Sequence, residues 1–104
     1  MQIPRKVRIG GVDYAVKHTD HSSVGNTLCY GTFDSEKCVI ELSNGRELAK
    51  ERVHQTFLHE ILHGVIFAMG LELDDEENAV GTIAKGLYQV IADNPAIFAK
   101  PIKQ

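Results

Sequence analysis

His59, Glu60 and His63 stand inside the segment TFLHEILHGVIF, residues 56–67, most of whose other positions suit a buried helix. Burying three ionisable side chains without partners is costly, so the segment needs something to compensate. On a helix, His59 and His63 lie four apart and project from one face, one turn above the other, where two imidazole nitrogens can bind one metal ion. Glu60 is rotated by about 100° from His59, which keeps it out of the ligand set but near a water on such an ion. This is the HExxH arrangement, in which the ion acidifies water and polarises a carbonyl while the glutamate takes the water's proton. The competing reading makes both histidines satisfied helix residues and Glu60 a solvated charge. The position of the motif, between TFL and IL in mid-helix, argues against it.

A third protein ligand is needed, and the chain limits the choice. The metzincin pattern wants His at position 69 and Gly at position 66, where Met69 and Ile66 stand, so that subclass is excluded. The zinc endonuclease pattern HxxxHxxxxxH fails at Met69 as well. The remaining candidates are the carboxylates on or before the next helix: Glu72, Asp74, Asp75, Glu76 and Glu77. Glu77 shares a helical face with Val80, Ala84, Leu87 and Tyr88 and is preferred; Glu76 aligns almost as well with Val80, Ile83 and Leu87. Two arguments oppose Glu77. Asp74 with Glu77 is itself a cap-and-N3 pattern. A strictly antiparallel helix pair would also leave Glu77 about 6 Å beyond His63, so a steep crossing is expected.

The elements that must hold these residues follow from period and turn signals. KVRIGGVDYAVKHT reads as a hairpin around Gly10 and Gly11, with strands near Lys6 to Ile9 and Val12 to His18. DHSSVGN reads as a polar loop. TLCYGTF and CVIEL read as a second strand pair joined by Asp34 to Lys37, with Phe33 opposite Cys38 and Leu42 opposite Cys29. From residue 44 the apolar spacing changes to three and four, through Leu48, Phe57, Leu58, Ile61, Leu62, Val65 and Met69, which predicts a helix over 44–70. Asn44 with Glu47 caps its start, and Gly70 stops it. A second helix is expected over 75–93, closed by Pro95, and a tail over 94–104 that packs through Ile97 and Phe98. The expectation is therefore one α+β domain over 1–104: residues 1–43 mainly β, a small antiparallel sheet of about four strands, packed on two helices.

Composition narrows the partners. The chain has 104 residues, 43% of them hydrophobic, enough for one modest core. Eleven Lys and Arg against fourteen Asp and Glu give a net charge of -3, which supplies no electrostatic hold on a phosphate backbone and argues against nucleic acid as a partner. No apolar run reaches the length of a signal peptide or of a membrane span, so a cytoplasmic protein without a membrane partner is expected. Cys29 and Cys38, four residues out of register on the expected ladder, are read as reduced thiols, as in a reducing compartment.

Weaker signals complete the reading. Tyr88 returns to nearly the face of Glu77 and could stabilise an oxyanion, but a core tyrosine with a rim hydroxyl is the preferred reading. CVIEL could offer an open edge to an extended peptide or be an ordinary edge strand. His18 and His21 beside Asp20 read as solvated loop residues, and His54 lies off the ligand face.

With HEILH followed by an acidic helix start and IAKGLYQVIADNP, the chain resembles the small HExxH proteins of phages and prophages, relatives of the ImmA/IrrE-type metallopeptidases of the gluzincin group. The likeness runs from YGTFDSEKCVIEL through LYQVIADNP, about two thirds of the chain. It implies a minimal zincin-like fold, one Zn²⁺ held by His59, His63 and Glu77, and Glu60 as general base for hydrolysis of a peptide or protein. The gap from His63 to Glu77 is shorter than in larger gluzincins. The alternative is a non-catalytic zinc-binding module for protein interaction, as in prophage regulation.

Overall fold

A computed structural model describes residues 2–19, 22–24, 27–43 and 49–99, with the side chains of 22–24 and 27–29 excepted. Gly10 and Gly11 both adopt positive φ, 58° and 83°, a conformation that costs glycine least. They turn β1 (Lys6–Ile9) back on β2 (Val12–Thr19) in the expected hairpin. β3 (Ser22–Val24), where a polar loop is expected, and β4 (Thr27–Cys29), the start of the expected strand TLCYGTF, form a separate two-stranded hairpin. β5 (Gly31–Asp34) and β6 (Val39–Ser43) follow, then α1 (Lys50–Met69) and α2 (Glu76–Asp93). The protein is α+β.

The sheet is mixed, not antiparallel. Its order is β1-β2-β6-β5, and β6 runs parallel to β2 with Val16 beside Ile40 and His18 beside Leu42. Turn chemistry reports only neighbours joined by short loops, whereas this pairing joins residues far apart in the chain. Its reward is burial: Ile40 and Leu42 on the central strand β6 are fully enclosed, the largest hydrophobic return an apolar strand can obtain. With Ile9, Tyr14, Val16 and Phe57 they form the core. Because β6 has neighbours on both sides, CVIEL offers no open edge; that edge belongs to β5.

The β5–β6 register also differs from the expected one. Asp34 pairs with Val39 and Phe33 with Ile40, while Asp34 Oδ1 accepts from the N–H groups of Glu36 and Lys37 at 3.0 Å. This side-chain turn leaves Cys38 in the turn at φ 56°, a free, half-buried thiol. Cys29 pairs through its backbone with Ser22; its side chain lies outside the described residues.

α1 begins later than 44, because Ala49 is extended (φ -62°, ψ 146°) and no side chain caps the helix. Asn44, Glu47 and Leu48, on which the expected cap and the first apolar position fall, lie outside the described residues. Gly70 ends α1 in the left-handed region, as expected. Val53, Phe57 and Ile61 face the sheet. Val65 and Met69 continue the sequence pattern but lie exposed; here α1 meets the sheet through Gly64 and Ala68 instead. α2 is capped by Asp75, whose carboxylate accepts from Asn78 N at 3.3 Å; Asp74 has no such role. Val80 and Ala84 of α2 are buried, while Ile97 and Phe98 beyond it are exposed and do not pack as expected. No described helix is long and apolar enough to cross a membrane.

Candidate metal centre

Two glycines set how closely α1 lies on the sheet. A Cβ at Gly64 would come within 2.9 Å of Ile9 Cδ1 and 3.0 Å of Phe33 Cε1. One at Gly31 would come within 2.6 Å of Thr56 Cγ2 and 3.3 Å of Glu60 Cγ. Without side chains at these positions the helix settles directly on β5 and β1, and Glu60 is pressed against the strand. It is 6% exposed. Burial raises its carboxyl pKa from the ordinary value to about 7, the charge of His63 opposing the shift and that of Glu77 adding to it.

His59 and His63 project side by side from the neighbouring face, their ring centroids 4.8 Å apart. The first turn of α2 meets them there. Glu77 Oε1 contacts His59 Nε2 and lies 3.2 Å from His63 Nε2. The three ligand atoms, two imidazole nitrogens and a carboxylate oxygen, all fall within 4.8 Å of one another. That donor set is one catalytic zinc sites use, three protein ligands with a position left over, and the residues therefore fit the ion. The expected 6 Å offset is bridged locally: Gly81, one turn on from Glu77, sits beside His59, a Cβ there falling 3.8 Å from His59 Cε1. α2 thus packs beside His59 at Gly81, and the long Glu77 side chain spans the remaining turn.

Glu76, the near-equal candidate, has a different task. Its Oε2 lies 2.6 Å from His63 Nδ1, so His63 donates to it and turns Nε2 toward Glu77. A carboxylate on the far nitrogen fixes ring orientation and tautomer of a ligating histidine. The electrostatics agree. Burial depresses the His63 pKa, but the hydrogen bonds to Glu76 and Glu77 and the charges of Glu60 and Glu77 outweigh it, and the net shift is upward. For Glu77, burial acts upward and the two histidines prevail, holding the carboxyl below its usual range.

The remaining candidates stand elsewhere. Asp75 caps α2, Asp74 joins no ligand group, and Glu72 lies on the rim of the cleft that contains the site. This cleft, about 1000 Å³, is bounded by β5, α1 and the first half of α2. Tyr88 lies on the opposite side of the helix pair, its ring 6.1 Å from that of His54, in a second cleft of about 710 Å³; it serves no oxyanion at the His59–His63 site. His18 is exposed on β2 rather than in a loop, and Asp20 and His21 lie outside the described residues. Sequence reasoning missed the contact of Glu76 with His63 Nδ1 and the spacing roles of Gly31 and Gly64. The signal for Glu76 was its adjacency to Glu77, which puts two acids on the first turn facing two imidazoles.

Comparison with protein-family models, with curated proteins and with solved structures finds no significant match.

Proposed function

We propose that the chain is a zinc-dependent metallopeptidase that hydrolyses peptide bonds with Glu60 as general base. The observation that carries this reading is the convergence of His59 Nε2, His63 Nε2 and Glu77 Oε1 beside a buried carboxyl poised at about 7, in an open cleft. Glu76 keeps His63 in the ligating orientation. His59, His63 and Glu77 would hold the zinc ion, which when bound would supply an acidified water and polarise a carbonyl. Glu60 takes one proton from the water that attacks the peptide carbon and delivers it to the amine nitrogen as the C–N bond breaks. A pKa near neutrality suits both halves of that transfer.

The edge strand β5 supplies the substrate platform. Ser43 N donates to Tyr30 O at 2.8 Å, and antiparallel alternation then turns the backbone groups of Gly31 and Phe33 away from β6, toward the cleft. An extended peptide can pair there. The free thiol of Cys38 suits action in the cytoplasm. Non-catalytic zinc binding in prophage regulation is the competing reading; a fourth protein ligand on the ion supports it, whereas three ligands and an open position support hydrolysis.

The experiment is zinc content and peptide hydrolysis of wild type and Glu60→Gln. The variant is expected to retain the wild-type zinc stoichiometry and to lose hydrolysis by a factor of about 10² to 10⁴. Undiminished hydrolysis refutes the role of Glu60, and purified protein that neither contains nor takes up zinc refutes the centre.

A further inference from the structure

The cleft has two unlike ends. At one end Phe33, Ile66, Phe67 and Leu71 line it; the rings of Phe33 and Phe67 are 6.2 Å apart, and Phe67 is 62% exposed. At the other end stand Arg52 and Lys85. The Arg52 guanidinium lies over the ring of Tyr30, 5.0 Å from its centroid, and among the described residues no carboxylate pairs with Arg52 or Lys85. Acids line the rest: Glu60, Glu76 and Glu77 in the middle and Glu72 toward the apolar end. On either side of the metal site, a peptide carboxylate is therefore repelled by Glu72 toward the apolar end and attracted only at the Arg52 end. There a stacked guanidinium offers a planar fork of donors.

The direction of the peptide follows from the fold. Gly31 lies beside Thr56 and Glu60, and Phe33 beside Gly64, so β5 and α1 run the same way along the cleft. A peptide added to the edge of β5 in the more stable antiparallel sense therefore has its amino end at Phe67 and its carboxyl end at Arg52. Arg52 is seven positions before His59, about 10 Å along the helix, a distance that an extended chain covers in about three residues. Phe67 is four positions after His63, about 6 Å along the helix, or about two residues.

We propose, resting on the peptidase reading above, that the cleft selects peptides with a large apolar side chain one or two residues before the scissile bond and a carboxylate about three residues after it. That carboxylate is an acidic side chain or the chain terminus. Arg52, assisted by Lys85, is the specificity-determining residue at that end, and Phe67 at the other.

The test measures binding of fluorescein-labelled peptides by anisotropy to the zinc-loaded full-length Glu60→Gln chain, and to the same chain without zinc. The peptides carry one Leu with one Glu four residues after it, the same with Gln for Glu, the reversed order, and a C-terminally amidated or free-acid form of each. The peptide with Leu first and a carboxylate following is expected to bind about tenfold more tightly than the Gln and reversed peptides. The amidated forms show whether side chain or terminus supplies the carboxylate, and either source supports the proposal. Adding Arg52→Gln should abolish the preference and leave affinity for the Gln peptide unchanged, and Arg52→Glu should shift it to a peptide with Lys in place of Glu. Indifference to the carboxylate, or equal binding of the reversed peptide, overturns the proposal. Zinc uptake on the same samples reports separately on the peptidase reading: a chain that takes no zinc refutes that reading, while the peptide preferences still decide this one.

Discussion

His63 and His54 share one helix and are both half-buried, yet the fold moves their protons in opposite directions. His54 faces the second cleft, among Phe57, Leu87, Tyr88 and Pro95. Burial lowers its pKa, and nearby positive charge, Lys50 included, adds to the shift. His63 is also depressed by burial, but Glu76 and Glu77 reverse the outcome. The contrast lies in which part of α2 each ring meets. His59 and His63 meet its acidic first turn, where carboxylates also suit the helix dipole, whereas His54 meets its apolar later turns. Side-chain type does not make a metal site; the groups facing it do.

The sharpest way to break the contrast is to delete each ring. His63→Ala should lose stoichiometric zinc in elemental analysis of purified protein, and His54→Ala should keep it with a stability change within about 1 kcal/mol. Equal zinc content in the two variants would make the acidic turn irrelevant.

The next effect concerns Glu60 in chelator-treated protein. Its folded pKa, about 7, lies above the ordinary carboxyl value, so from about pH 4.5 to 7 the folded state holds more protons than the unfolded one. Stability therefore falls as pH rises through that window. Glu60→Gln removes the penalty. In urea titrations the variant should match wild type near pH 4 and exceed it by about 2 to 3 kcal/mol above pH 7.5. A gap independent of pH would mean that Glu60 is not held in its neutral form.

Smaller still is the effect of removing the charge behind His63. Glu76→Gln should weaken zinc binding about 10- to 100-fold in competition titrations with a chromophoric chelator, while retaining one site per chain. If Glu76→Gln instead loses the site and Glu77→Gln does not, the two carboxylates have exchanged roles.

The paired strands around Gly10 and Gly11 and the helix around HEILH were legible because their signals are local. A turn needs two residues free to take positive φ, and a helix face repeats every three or four positions. The parallel union of β2 with β6 was not legible, since no turn announces it and only burial of Ile40 and Leu42 rewards it. The same blindness placed the open edge on β6 instead of β5 and read the short strand at 22–24 as loop. At the site, Glu77 could be preferred over Glu76 from helical phase alone, but phase could not tell which carboxylate meets which nitrogen of His63. Both acids lie on the same turn, and only the position of that turn against His63 separates Nε2 from Nδ1.

Local order along the chain determined that two imidazoles stand one turn apart with a carboxyl beside them, because backbone hydrogen bonding alone imposes that spacing on a helix. Tertiary packing decided everything that gives the trio its chemistry. Bare backbone at Gly31 and Gly64 lets β5 and β1 close on α1 and desolvate Glu60, and the packing of α2 on α1 carries Glu76 and Glu77 to their separate nitrogens. Desolvation and charge contact depend on distance in space, which residue spacing along a chain does not encode.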